Sequence, residues 1–229
     1  MTSPNQHQPV LGAEHLARLD AVLADTDRLL TAAYPGDDGT RQPVHTVYIP
    51  ADRCVPALPG SWGEEGLAAV AEHGTLAGLG EQLGLDAAVA GAVVPLVEAK
   101  LRSEPIEDLR LDFEDGYGVR PDDEEDGHAR QAAAAVAAAV AAGTAPPFIG
   151  IRFKSFEAPT RARGVRTLDL FLAGLLATGP LPDGLVLTLP KVSTVEQVEA
   201  MVFVCELLED AYGLPEGRLR FEVQVKPRS

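Results

Sequence analysis

Residues 109–118 read Leu-Arg-Leu-Asp-Phe-Glu-Asp-Gly-Tyr-Gly. Alternating apolar positions lead into three carboxylates, Asp112, Glu114 and Asp115, and then into a glycine turn. This is the pattern of a short buried strand with acids at its exit. Successive strand side chains point to opposite faces, so Asp112 and Glu114 are expected on one face and Phe113 and Asp115 on the other. Carboxylates on the inner side of a strand are costly to bury unless a cation meets them. The stretch therefore calls for a metal ion, a substrate or a structural arginine.

Working outward, four more segments have strand character: 44–50, 148–154, 185–192 and 219–225, each rich in β-branched, leucine or aromatic residues. Between them lie helical patterns at 64–83 (interrupted near Gly78-Leu79-Gly80), 87–103, 128–142, 167–178 and 193–212, with an amphipathic helix at 12–33 ahead of the first strand. Ser193-Thr194-Val195-Glu196 has capping-box spacing. Residues 1–8 are expected to be disordered, 35–39 to break the first helix, and 56–63 to be a loop. Strand alternating with helix at this rhythm implies an α/β fold with parallel pairing and right-handed crossovers, in one domain over residues 11–229. In such sheets the chemistry gathers at the carboxyl ends of the strands. Here those ends carry Asp52 and Arg53, Glu114 and Asp115, Arg152 and Lys154, Lys191, and Lys226. Acids follow the second strand and bases the third and fourth, which suits a small anion together with a divalent cation.

With 229 residues, 46 % of them hydrophobic, the chain can bury a substantial core. A net charge of −15 argues against a nucleic-acid partner and against an anionic membrane surface. Residues 1–9 are polar, with no secretory run, and the alanine-rich 132–142 segment is too short to span a bilayer. Cys54 and Cys205 lie in no metal or redox spacing and read as reduced thiols. A cytoplasmic protein is expected.

Other features carry less chemistry. The Gly78-Leu79-Gly80 repeat is no phosphate loop, because no strand feeds it and no Gly-Lys-Ser/Thr follows. The acidic run 122–126 reads as a solvated loop and helix start, where acids oppose the positive end of the helix. Arg161, Arg163 and Arg166 read as a basic loop and helix start, solvated in preference to anion-binding. Lys154 could face solvent or a ligand. His73 and His128 are expected at the surface, and His45 lies at the strand end away from the chemistry.

Taken in order, the motifs 45–53, 111–115, 150–152, 189–192 and 221–225 resemble the HpcH/HpaI aldolase/citrate lyase β-subunit family of the phosphoenolpyruvate/pyruvate barrel superfamily. The resemblance implies a (β/α)8 TIM barrel and a Mg²⁺-dependent carbon–carbon lyase or aldolase. Its substrate would be a small 2-oxo acid or an acyl-CoA, processed through an enolate. Arg152 matches the arginine that grips the substrate carboxylate or carbonyl, a role that suits a planar guanidinium fork. Glu114 and Asp115 match an acid pair that holds metal-bound waters. Arg53 and Lys191 match basic positions of the substrate site. The superfamily also offers phosphoryl transfer on phosphoenolpyruvate as an alternative.

The sequence departs from that pattern at one end. The family's direct metal ligands are a glutamate at the end of strand five and an aspartate after strand six. Here strand five runs into Val225-Lys226-Pro227-Arg228-Ser229. The resemblance therefore implies an incomplete, C-terminally truncated barrel of about five strands with an N-terminal helical extension, lacking the direct ligands, and admits a non-catalytic relic. Open sheet edges would favour a homo-oligomer.

Overall fold

The computed structural model describes residues 10–34, 36 and 39–226. The expectations for residues 1–8 and for the tail 227–229 lie outside these, as does most of the break at 35–39. The chain divides into two compact units between Gln42 and Pro43. The first contains helix α1 (Ala13–Ala33), whose leucines and valine recur at helical spacing.

The second unit is built on five strands: β1 (Thr46–Pro50), β2 (Asp108–Asp112), β3 (Phe148–Arg152), β4 (Val186–Val192) and β5 (Arg220–Val225). All pair in parallel, in the order β1-β2-β3-β4-β5. Among the described residues seven α-helices complete the fold. Those of the second unit are α2 (Leu58–His73), α3 (Leu76–Gln82), α4 (Ala87–Ser103), α5 (Asp122–Ala141), α6 (Arg161–Leu176) and α7 (Val195–Tyr212). The α/β class with parallel pairing follows the sequence reading.

Several boundaries differ from the expectations. The segment expected to be a loop at 56–63 is helical from Leu58, with a proline in the first turn, where its missing N–H costs nothing. The expected interruption at Gly78–Gly80 falls instead at Gly74, whose φ of 144° only glycine adopts easily. Helix α5 begins at Asp122, so the acidic run is the expected helix start, with no loop portion. Helix α6 begins at Arg161, which places the three arginines on helix rather than loop.

The two faces of the sheet are chemically distinct. Ile49, Leu109, Leu111, Ile149, Ile151, Leu187 and Leu189 share one face and form the core with Ala129, Ala132 and Val136 of α5, Leu168, Phe171 and Leu172 of α6, and Met201 of α7. The alternating positions carry Tyr48, Asp108, Arg110, Asp112, Arg152, Thr188, Glu222 and Gln224, placed by register on the opposite face. Gly150 sits on this polar face, where a Cβ would lie 1.7 Å from the Val186 carbonyl oxygen. Only glycine lets β3 and β4 approach so closely.

The sheet is strongly curved around its polar face. Four inter-strand spacings of about 4.8 Å would hold β1 and β5 roughly 19 Å apart in a flat sheet. Yet Gln224 Nε2 of β5 donates to Tyr48 Oη of β1 at 3.0 Å. Tyr48 Oη also donates to Glu222 Oε1 at 3.4 Å, and Thr188 Oγ1 donates to the same oxygen at 2.7 Å. Arg110, almost wholly buried, pairs with Asp108 and with Glu222.

Candidate functional site

The carboxyl ends of β2, β3, β4 and β5 bring together two charged groups. The first centres on Asp112. Its Oδ1 accepts from the backbone N–H of Glu114 at 2.9 Å and from Arg152 Nε at 2.8 Å. Its Oδ2 accepts from the N–H of Gly116 at 2.8 Å and from Arg152 Nη2 at 2.6 Å. One buried carboxylate thus caps the turn that leaves β2 and holds the guanidinium of β3 in a two-bond fork. A Cβ on residue 116 would lie 2.6 Å from Oδ2, so the glycine of the turn is required by this cap.

Arg152 is fixed on its other sides as well. Its guanidinium lies over the Tyr48 ring at 4.6 Å, and Nη1 donates to Gln224 Oε1 at 3.3 Å. The hydrogen bond to Asp112 holds the guanidinium above its ordinary pKa. Burial, followed by the charge of Glu222, raises that of Tyr48. Of the five N–H donors on a guanidinium, three are committed among the described residues. The other two lie one on each Nη.

The second group joins the β2 exit to β4. Lys191 Nζ lies 2.5 Å from Glu114 Oε1 and 2.9 Å from Asp115 Oδ1. Lys191 has a φ of 56°, the positive-φ position among the described non-glycine residues. It follows Pro190 in a bulge, where the four residues from Leu189 to Val192 oppose the three from Val223 to Val225. Proline, which cannot donate to the ladder, suits such a bulge. The hydrogen bonds that Lys191 donates to Glu114 and then to Asp115 raise the lysine's pKa, and Lys191 lowers that of Asp115. Glu114 is 9 % exposed, and its Oε2 is buried with no hydrogen-bond partner among the described residues.

Of the residues singled out from sequence, Arg152, Lys191, Glu114 and Asp115 are thus at the strand exits, in pairings the sequence did not anticipate. The acid pair meets Lys191, while Arg152 meets Asp112. Asp115 does not share a face with Phe113, because β2 ends at Asp112, whose side chain caps the turn that begins there. Phe113 is fully buried and the Asp115 side chain is 67 % exposed. Arg53 lies in a single 3₁₀ turn, Ala51–Arg53, and is exposed, outside both groups. Its neighbour Asp52 pairs instead with Arg120 at 2.8 Å.

Lys154 does not face solvent. It is buried, donating to the carbonyls of Phe113 at 2.7 Å and Gly118 at 3.3 Å, and pairing with Glu125 at 2.8 Å. It ties both ends of the acidic turn to α5. His128, expected at the surface, is half-buried, with Nδ1 2.6 Å from the Tyr117 hydroxyl. Tyr48 and Gln224 were missed, although both stand on the face of Arg110 and Arg152 by simple two-residue alternation.

Parallel strands in sequential order, with a charged cluster at their carboxyl ends, define a parallel α/β protein with a strand-exit site. Residues 23–228 match the family model of a domain of unknown function, DUF6986, and the chain belongs to that family. No curated protein and no solved structure matches it.

Proposed function

We propose that the five strands form an arc of a (β/α)8-type barrel and that the chain acts as a Mg²⁺-dependent carbon–carbon lyase or aldolase. Its substrate is a small 2-oxo acid or an acyl-CoA thioester carried through an enolate. The sequential parallel order and the contact between β1 and β5 side chains support the barrel arc. The resemblance of the strand-end motifs supports the chemistry.

The observation that carries the reading is the setting of Arg152. Asp112, Gln224 and the Tyr48 ring hold its guanidinium still, leaving one N–H on each Nη uncommitted among the described residues. A held guanidinium with an uncommitted N–H on each of two neighbouring nitrogens suits the carboxylate and carbonyl oxygens of a 2-oxo acid. They would also meet the negative charge that develops on the oxygen as an enolate forms.

Mg²⁺ is a hard cation that keeps several waters and prefers oxygen donors. Among the described residues no group of three or more His, Cys, Asp or Glu side chains is arranged to hold a metal directly. Glu114 and Asp115 fit the outer, water-mediated contact, since Glu114 Oε2 is a buried acceptor still lacking a donor. When bound, the metal would supply Lewis-acid stabilisation of charge on the substrate oxygen. The residues themselves bind the anion through Arg152 and orient metal waters through the acid pair, which Lys191 holds while no metal is bound.

The test is enolisation. With Mg²⁺ and pyruvate in D₂O, the protein is expected to catalyse exchange of the methyl hydrogens, seen as loss of the methyl proton signal by NMR. Arg152→Ala is expected to lower the exchange rate at least a hundredfold. Release of phosphate from phosphoenolpyruvate with no methyl exchange would replace the lyase reading with phosphoryl transfer. Neither activity under these conditions would contradict the proposal.

A further inference from the structure

We propose that the acid pair Glu114 and Asp115 is a cation-binding site whose resident cation is the protein's own Lys191 ammonium, so that a divalent ion binds there by displacing it. Three observations converge on this. First, Lys191 Nζ sits between Glu114 Oε1 and Asp115 Oδ1, at 2.5 and 2.9 Å, bridging two carboxylates as a bound ion would. Second, the lysine supplies one positive charge against two negative ones and leaves a carboxylate oxygen without a donor: Glu114 Oε2 is buried and unpartnered among the described residues. A side chain more than nine-tenths buried with an unmet acceptor is a strong demand for further positive charge. Third, the lysine reaches the pair from a left-handed backbone position that side chains other than glycine rarely occupy.

The other nearby cations cannot take this place. Arg152 is forked onto Asp112, Arg120 is bound by Asp52 and Glu124, and Lys154 is held by Glu125 and two backbone carbonyls. The site is therefore half-neutralised by one flexible side chain of the protein itself. A lysine stem can swing the ammonium out to water, where it is strongly hydrated. A divalent ion with its bound waters would then meet both carboxylates, including the unpaired oxygen of Glu114. In this arrangement Lys191 competes with a metal, instead of gripping substrate.

The inference shares with the proposed lyase reading the premise that the acid pair is a cation site, and its test uses metal alone. The probe is Mn²⁺, titrated into the full chain and followed by the loss of the free-ion electron paramagnetic resonance signal. Lys191→Met, which keeps the apolar stem, and Lys191→Gly, which is at ease at positive φ, are both expected to bind one Mn²⁺ at least tenfold more tightly than the unaltered protein. Lys191→Arg, which keeps the charge, is expected to show no such gain. Adding Glu114→Gln to Lys191→Gly is expected to remove the gain. The proposal is overturned if neither neutral variant gains affinity, or if the gain survives Glu114→Gln. A failure of the lyase reading alone would show as absent pyruvate exchange with the Mn²⁺ gain intact.

Discussion

Asp112 organises the strand exit at the scale of single residues. Four donors converge on its two oxygens, two from the turn backbone and two from Arg152, so one side chain sets both the course of the chain after β2 and the direction of the guanidinium. Asparagine at this position keeps the shape but offers one acceptor oxygen and one donor nitrogen. Either Gly116 and Nη2 or Glu114 and Nε would then face an N–H. Removing one partner of a buried ion pair costs roughly 3–5 kcal/mol. Asp112→Asn is therefore expected to lower the unfolding free energy by about that amount in urea titrations, and a loss under about 1 kcal/mol would show that the fork contributes little. The three acids and Arg152 could be picked out from sequence as a charged strand exit. Which acid meets which base could not, because the pairing depends on a turn that starts earlier than the alternation suggests, and on the bulge that turns Lys191 back toward it.

Between elements, the tie that matters most lies between α5 and α6. Asp126 is bound by Arg163 and by Arg166, with Arg166 Nε 2.9 Å from its Oδ1, and buried Glu125 accepts from Thr167 Oγ1 at 2.6 Å. The residues expected as a solvated acidic run and a solvated basic loop are thus the two halves of an inter-helix clamp. Sequence alone could not reveal it, since the halves lie about forty residues apart and each taken singly looks like a charged helix start. The hydrogen bonds from Arg166, then Arg163, lower the Asp126 carboxyl to about 2. A carboxyl depressed below its unfolded value of about 3.9 contributes stability that is fully present above that pH and is lost as pH falls toward the folded value. Stability is expected to decline between about pH 4 and pH 2, with Asp126→Asn showing a shallower decline in the same window by thermal unfolding. An identical pH slope in the two proteins would place the acid sensitivity elsewhere.

For the whole second unit, the period-two pattern of the five strands and their alternation with helices was legible from the start, because an apolar face must pack on helices wherever it occurs. The curvature was not legible in that pattern and entered only through the resemblance to a barrel. It rests on side chains of β1 and β5, more than 170 positions apart, meeting over a polar face. Their polarity left no sign in the hydrophobic pattern. Within the described residues no helix is long and apolar enough to cross a membrane. The central claim is that these curved strand ends form one site for Mg²⁺ and a small 2-oxo acid. Oxalate resembles the enolate of pyruvate in shape and charge, and a ligand that binds only the folded chain at a hundred times its Kd adds about 2.7 kcal/mol. For a protein of this size that corresponds to a rise in Tm of about 5 °C or more. Thermal unfolding with Mg²⁺ and oxalate together is expected to show that rise in the unaltered protein and none in Arg152→Ala. No shift at millimolar ligand, or a shift that Arg152→Ala retains in full, would contradict the account.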